Sequence, residues 1–178
     1  MPGTAPGLVC PVGDKVIYAV PGVPYEMQEM MIGTILPDLQ RRSGQTAVIR
    51  SRVLRTWGYS ESGLAEALGP RIDELDAVGN PTLAFQASGM EGLKVRITAK
   101  DETDAAAEAI LAAEEILIRD LLGDIIFAVD EQTMESVVID GLKARGWTLA
   151  VAEPLTGGVL TSRLTAIDGA DDVFRGAT

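Results

Sequence analysis

Apolar positions change spacing along the chain in a way that separates three stretches. In the first, Lys15 to Val20 is a short apolar run that reads as a strand, and Pro24 suits the first turn of a helix. Met27, Met30, Met31 and Thr34 share one face at helical spacing, which predicts methionine as core filler. Pro37 is expected to kink or end that helix, and Arg41-Arg42-Ser43-Gly44 reads as an exit to a new unit. The run from Pro2 to Gly7 is too rich in proline and glycine for regular structure.

The second stretch opens with β-branched Val48, Ile49 and Val53, predicting a strand within 46–57. Ser60 can cap a helix carrying Leu64 and Leu68, with Gly69-Pro70 as its stop and a short helical turn over 71–75. Leu83, Phe85 and Ala87, then Leu93, Val95 and Ile97, alternate with polar or small residues around a turn at Gly89 to Gly92. That pattern is a hairpin with one buried face. Asp101 is expected to cap the next helix, burying Ala106, Ile110, Ala113, Leu117 and Leu121 and turning Glu108, Glu114 and Glu115 to water. The order strand, helix, helix, strand, strand, helix is a complete small α+β unit.

In the third stretch, Ile125 to Val129 reads as a strand. Met134, Val137, Val138, Gly141 and Leu142 share a helical face that ends near Gly146. Trp147 to Ala152 is an almost uninterrupted apolar strand of parallel-sheet type, and Leu160, Leu164 and Ile167 mark a final helix. This is the opening of a parallel α/β domain. The fold class is α/β and α+β: a complete middle unit, 45–127, between incomplete α/β pieces, 1–44 and 128–178.

Composition narrows the chemistry. Fifteen basic against twenty-six acidic residues give a net charge of −11, which opposes attraction to nucleic acid or an anionic membrane surface. The absence of histidine, with Cys10 as the single cysteine, removes intrachain disulfides, zinc and haem sites of the usual kinds, and every triad built on histidine. Cys10 reads as a small buried hydrophobe. No apolar run approaches the roughly 20 residues of a membrane span, and a cytoplasmic chain is expected. No acid lies between Asp38 and Glu61, where Arg41, Arg42, Arg50, Arg52 and Arg55 stand; a charge-protected strand edge accounts for them most simply.

Three motifs are candidates for chemistry. Gly3-Thr4-Ala5-Pro6-Gly7 and Pro21-Gly22-Val23-Pro24-Tyr25-Glu26-Met27 flank the first strand. Gly3, Thr4, Gly22, Val23, Pro24 and Glu26 are the candidates there for holding a phosphate or nucleotide, since glycine permits close approach and a helix start offers free N–H groups; ordinary turns are the plainer reading. Glu153-Pro154-Leu155-Thr156-Gly157-Gly158 lies between a strand end and a helix start, where α/β domains place ligands; Thr156 reads equally as a helix cap, and Glu153 as a substrate-orienting carboxylate or a solvated edge residue. Trp57-Gly58-Tyr59 reads as core packing and a turn rather than a stacking platform.

On these motifs the chain resembles an internal piece of the CinA (competence/damage-inducible protein A) family. Gly3 to Gly7 and Ala19 to Met27 resemble the end of its molybdopterin-binding-like N-terminal domain. Residues 45–127 resemble its KH-like middle domain, and Ala152 to Gly158 through Phe174-Arg175-Gly176 resembles the start of its C-terminal amidase domain.

The resemblance implies pyridine-nucleotide metabolism, with a pyridine nucleotide or an ADP-ribose-like molecule as ligand and a homodimer in complete members. In the family the N-terminal domain is associated with metal-dependent cleavage of ADP-ribose. The C-terminal domain is associated with deamidation of nicotinamide mononucleotide by a serine nucleophile in an A-E-S-x-T-G-G motif. Pro154 stands where that serine would be. Glu153, Pro154, Thr156, Gly157 and Gly158 are therefore expected to be the remnant of a site that is not catalytically intact, in a chain truncated relative to the family and inactive alone. No cofactor is expected in this chain; a divalent metal belongs to the family's complete N-terminal domain. Two other readings are a pyrophosphatase or amidohydrolase assembled with another chain, and a nucleic-acid adaptor of KH type.

Overall fold

A computed structural model describes residues 5–44, 47–87 and 89–178 and divides the chain into two compact units, Met1–Ala47 and Val48–Thr178. In the first, β1 (Leu8–Val12) and β2 (Lys15–Ala19) form an antiparallel hairpin with Leu8 opposite Ala19 and Val12 opposite Lys15. β1 was not expected, because Pro11 obscures its pattern; in a two-stranded ribbon both strands are edges, where a missing N–H is tolerated. Cys10 lies in it and is exposed, not buried.

Helix α1 (Pro24–Met30) passes through a five-residue π turn, Met31–Ile35, into α2 (Leu36–Ser43). Pro37 sits in the first turn of α2, so it neither ends the helix nor stays inside a regular one. The wider turn ahead of it absorbs the ring and the lost hydrogen bond. That turn also breaks the expected methionine face: Met27, Met30 and Met31 are half-buried and Thr34 is exposed, while the buried side chains are Glu26 and Ile35.

The second unit is built on an antiparallel sheet in the order β4-β5-β3-β6, from β3 (Val48–Thr56), β4 (Thr82–Ala87), β5 (Leu93–Asp101) and β6 (Ile126–Val129). β3 is interior, so its arginines do not guard an edge. Arg50 pairs with Asp104, Arg52 with Glu108 and Glu115, and Arg55 with Glu91. β6, expected to open the third stretch, instead closes this sheet against β3. Asp130 follows it with φ 52; its N–H donates to the Val53 carbonyl (2.7 Å), its Oδ1 accepts from the Val53 N–H (2.8 Å) and its carbonyl accepts from Arg55 Nε (2.7 Å).

One face of the sheet is covered by α3 (Glu61–Val78) and α4 (Asp104–Leu122) around Leu54, Leu64, Leu68, Val95, Ile97 and Ile118. Ser60 caps α3 as expected, its hydroxyl accepting from the Gly63 N–H. The helix runs on through Gly69 and Pro70, however, because Leu75 continues the buried line of Leu64 and Leu68. α4 is capped by Thr103 rather than Asp101, which ends β5. Its buried line is Ala107, Leu111, Glu114, Ile118 and Leu122, one position on from the expected stripe, leaving Leu117 and Leu121 43% and 52% exposed. Glu114, only 3% exposed, takes both ends of the Arg71 guanidinium at 2.9 and 2.6 Å.

The remainder of this unit is α5 (Met134–Arg145), β7 (Leu149–Val151), α6 (Val159–Thr165) and β8 (Phe174–Ala177). Thr133 and Ser136 form a capping box at the start of α5. β7 and β8 pair in parallel beside a small core of Ile139, Leu164, Ala170 and Val173. β8 escaped the sequence reading because Gly176 interrupts a strand of four residues.

Candidate functional site

The loop from Glu153 to Gly158 leaves β7 and reverses into α6, and the reversal needs two consecutive left-handed residues, Gly157 (φ 66) and Gly158 (φ 94). Gly158 is the N-cap residue and supplies no side chain; Thr156 is not the cap it could have been. Glu153 performs that service from five residues upstream. Its carboxylate accepts from the N–H groups of Leu160 (2.6 Å) and Thr161 (3.0 Å), from the Thr161 hydroxyl (2.8 Å) and from the Thr156 hydroxyl. Those bonds, led by Thr156, hold its carboxyl down to about 2. Both hydroxyls are therefore engaged as donors to a carboxylate that lies well below the basicity suited to a general base at neutral pH. Pro154 is exposed and brings neither hydroxyl nor N–H. The backbone fixes the loop's entry, the Glu153 N–H donating to the Thr178 carbonyl at 2.7 Å.

A cleft of about 960 Å³ opens onto this loop. Glu153 and Thr156 line it with Leu160 of α6, Val151 of β7, Met134 of α5 and Phe127 of β6, and Trp57, Met90 and Arg55 close it from the other side. Trp57 and Tyr59 are 54% and 50% exposed, not core residues, and Trp57 gives the cleft an indole face. Gly92 brings the hairpin turn up to this end, since a Cβ there would collide with the Thr56 carbonyl and the Trp57 ring. Inside the cleft Arg163 Nε is paired with Glu135. Burial pushes the Glu135 carboxyl up, but hydrogen bonds from its own N–H, Thr133 and Arg163 outweigh this and leave it lowered. The lining is mostly apolar, with charged groups already paired at its walls. It suits a flat, partly apolar ring better than a free phosphate.

In the first unit, Val23 is the N-cap residue of α1 without a side-chain cap, and Pro24 occupies the first turn. Glu26 is buried, 5% exposed, and accepts from the Tyr25 hydroxyl at 3.2 Å. Its charge and that hydrogen bond raise the Tyr25 hydroxyl. Gly22, Val23, Pro24 and Glu26 therefore lie together at one helix start; Gly3 and Thr4 lie outside the described residues. A separate cavity of about 330 Å³ is lined by Pro6, Gly7, Met30 and Ile35, and none of the four reaches it. Asp38 is engaged by Tyr18 (2.5 Å), Arg42 (2.7 Å) and Arg41 (2.9 Å), the Tyr18 hydrogen bond contributing most to lowering its carboxyl. No group of three or more acidic or cysteine side chains among the described residues could hold a metal ion.

Residues 51–128 match the model of the damage-inducible protein CinA KH domain, and residues 131–178 that of the CinA C-terminal domain. The chain belongs to the CinA family. It is 48% identical over 174 residues to a CinA-like protein of Frankia casuarinae, covering 98% of this chain and 40% of that one. It is 43% identical over 176 residues to a CinA-like protein of Gloeobacter violaceus, with 98% and 40% covered. With a putative competence-damage inducible protein of Moorella thermoacetica it shares 42% over 174 residues, 98% and 41% covered. The chain thus spans about two fifths of the length of the curated relatives it matches. The cleft lies where residues of both CinA segments meet: Arg55, Trp57 and Phe127 belong to the KH match, Glu135, Glu153 and Thr156 to the C-terminal match. Sequence reading located the Glu153 to Gly158 loop but not its other wall, because Trp57 and Met90 come near it only through the sheet. No helix among the described residues is long and apolar enough to cross a membrane.

Proposed function

We propose that this chain is a cytoplasmic CinA-like protein of pyridine-nucleotide metabolism that does not by itself deamidate nicotinamide mononucleotide. The observation that carries this is Pro154 in the nucleophile position of a loop whose Thr156 hydroxyl, like that of Thr161 in α6, donates to a carboxylate held at about 2. A serine-type deamidation needs an oxygen nucleophile and a base near neutrality, and the loop offers neither. The largely apolar cleft, with Trp57 in its lining, supports binding of a nicotinamide ring, with Glu153 acting on the loop rather than on the ligand. The same reading takes the complete family's homodimer as the assembly in which a nucleotide would be bound.

Ammonia release from nicotinamide mononucleotide, and hydrolysis of ADP-ribose, should both be at background for the purified chain. Pro154→Ser alone should remain at background, because it restores the hydroxyl without a base. Nucleotide binding is tested separately by quenching of tryptophan fluorescence, with Trp57→Phe identifying the cleft. Ammonia release by the unmodified chain, or nucleotide binding indifferent to Trp57, would overturn the reading.

A further inference from the structure

The face of the sheet turned away from α3 and α4 is unlike the rest of the molecule. In a chain with twenty-six acids and fifteen bases, its positions on β3, β4 and β5 carry Arg55, Lys94, Arg96 and Lys100 and no acid. Arg55 and Lys94 are neutralised at one end by Glu91, at 3.3 and 2.8 Å. Arg96 and Lys100 are exposed and have no ion-pair partner among the described residues. Arg96 lies opposite Ala84 and reaches across toward the outer strand, where Nη2 donates to Gln86 Oε1 at 3.4 Å. Ala84 is too small to stand between that guanidinium and the sheet edge.

The edge itself is open. β4 pairs with β5 alone, and among the described residues no backbone group of another element bonds to its outer side. Its six residues, Thr-Leu-Ala-Phe-Gln-Ala, include none of the charges, prolines or bulges that usually blunt such an edge. Leu83 and Phe85 are half-buried on the helix side, while Thr82, Ala84 and Gln86 are exposed on the basic side.

From this juxtaposition we infer that β4 accepts an extended acidic polypeptide segment as a fifth strand. Its alternate carboxylates lie on the open face within reach of Arg96 and Lys100, and its intervening apolar side chains continue the row of Leu83 and Phe85. Main-chain hydrogen bonds to the edge supply affinity, and the cations supply selectivity for acid on that face. A polypeptide fits better than nucleic acid for two reasons. The edge groups match a peptide backbone, and among the described residues the positions of β3, β4 and β5 on that face carry no aromatic ring on which a base could stack, Phe85 being on the helix side.

The test uses the whole 178-residue chain and a labelled peptide of about ten alternating Val and Glu residues, followed by fluorescence anisotropy and amide hydrogen exchange. Saturable binding is expected, with slowed exchange in residues 82–87. Affinity should fall about tenfold or more in Arg96→Glu, and by less in Arg96→Gln, since the residue is exposed and the fold does not depend on it. Four outcomes would overturn the inference: no saturation by about 1 mM peptide, equal binding of an alternating Val and Lys peptide, affinity unchanged in Arg96→Glu, or binding without protection of β4. An oligothymidylate that binds more tightly than the peptide would also overturn it, in favour of a nucleic-acid surface.

Discussion

The acidic balance of this chain conceals how differently its carboxylates are used. Glu114 is buried and held by a two-pronged guanidinium, so removing Arg71 strands a charge in the interior. Arg71→Ala is expected to cost about 3–5 kcal/mol in urea unfolding, whereas replacing both partners by Leu or Met should cost far less. A loss below about 1 kcal/mol for the single variant would show that Glu114 reaches water. Glu153 is a different case, a carboxylate drawn down by four donors. Its folded value of about 2 lies below the ordinary 4.5, so its contribution to stability is present above about pH 4.5 and is lost as pH falls through about 2. A carboxyl titration followed by NMR should give a midpoint near 2, and Thr156→Ala should move it upward, Thr156 being the strongest contributor. A Glu153 midpoint near 4.5 would mean that the cap does not form in solution.

At the scale of elements, α3 passes through Pro70, which gives up one hydrogen bond and remains exposed. Pro70→Ala should raise stability by about 1–2 kcal/mol, a regained helical bond offset by greater freedom of the unfolded chain. A lower melting temperature would indicate that the proline sets the bend on which Leu75 depends. The same helix shows where sequence reading stops. The signals at Ser60 and Leu64 were legible, and so were the hairpin around Gly89 to Gly92 and the helix from Met134 to Arg145. Gly69-Pro70 gave a false stop because propensity is local and the burial of Leu75 is not. In α4 two adjacent apolar lines compete, and the one with better hydrophobicity lost to the one containing Glu114, because Arg71 lies opposite it in the fold. The Glu153 to Gly158 loop was found by its residues, but the carboxylate's use as a distant helix cap depends on a backbone path that two left-handed glycines create.

For the whole molecule, burial is unevenly distributed. Among the described residues of the first unit, Ile35 is the buried hydrophobic, while Leu8, Val12, Ile17 and Ile32 are exposed. The second unit holds two clusters, one centred on Leu54, Leu64 and Ile97 and one on Ile139 and Leu164. Amide exchange should therefore be fastest in residues 5–44 and slowest in β3, β5 and α4, with early proteolytic cleavage before β3. Equal protection of the hairpin β1-β2 and the sheet core would contradict this distribution.

Asp130 carries a mechanical consequence. It stands between the two CinA segments, which match to residue 128 and from residue 131, at the place where a flexible tether would be the default. Its backbone N–H and its carboxylate instead clasp Val53 from both sides, and its carbonyl takes Arg55, in a left-handed conformation that a non-glycine residue holds only when its surroundings fix it. The junction is a weld. Torque applied to α5 is delivered to the central strand of the sheet instead of being lost in a swivel, so the two walls of the cleft tilt together. Asp130→Gly keeps the dihedral angle but removes the carboxylate half of the clasp. Residual dipolar couplings should then report independent alignment of 48–129 and 131–178, where the unaltered chain shows a single alignment tensor.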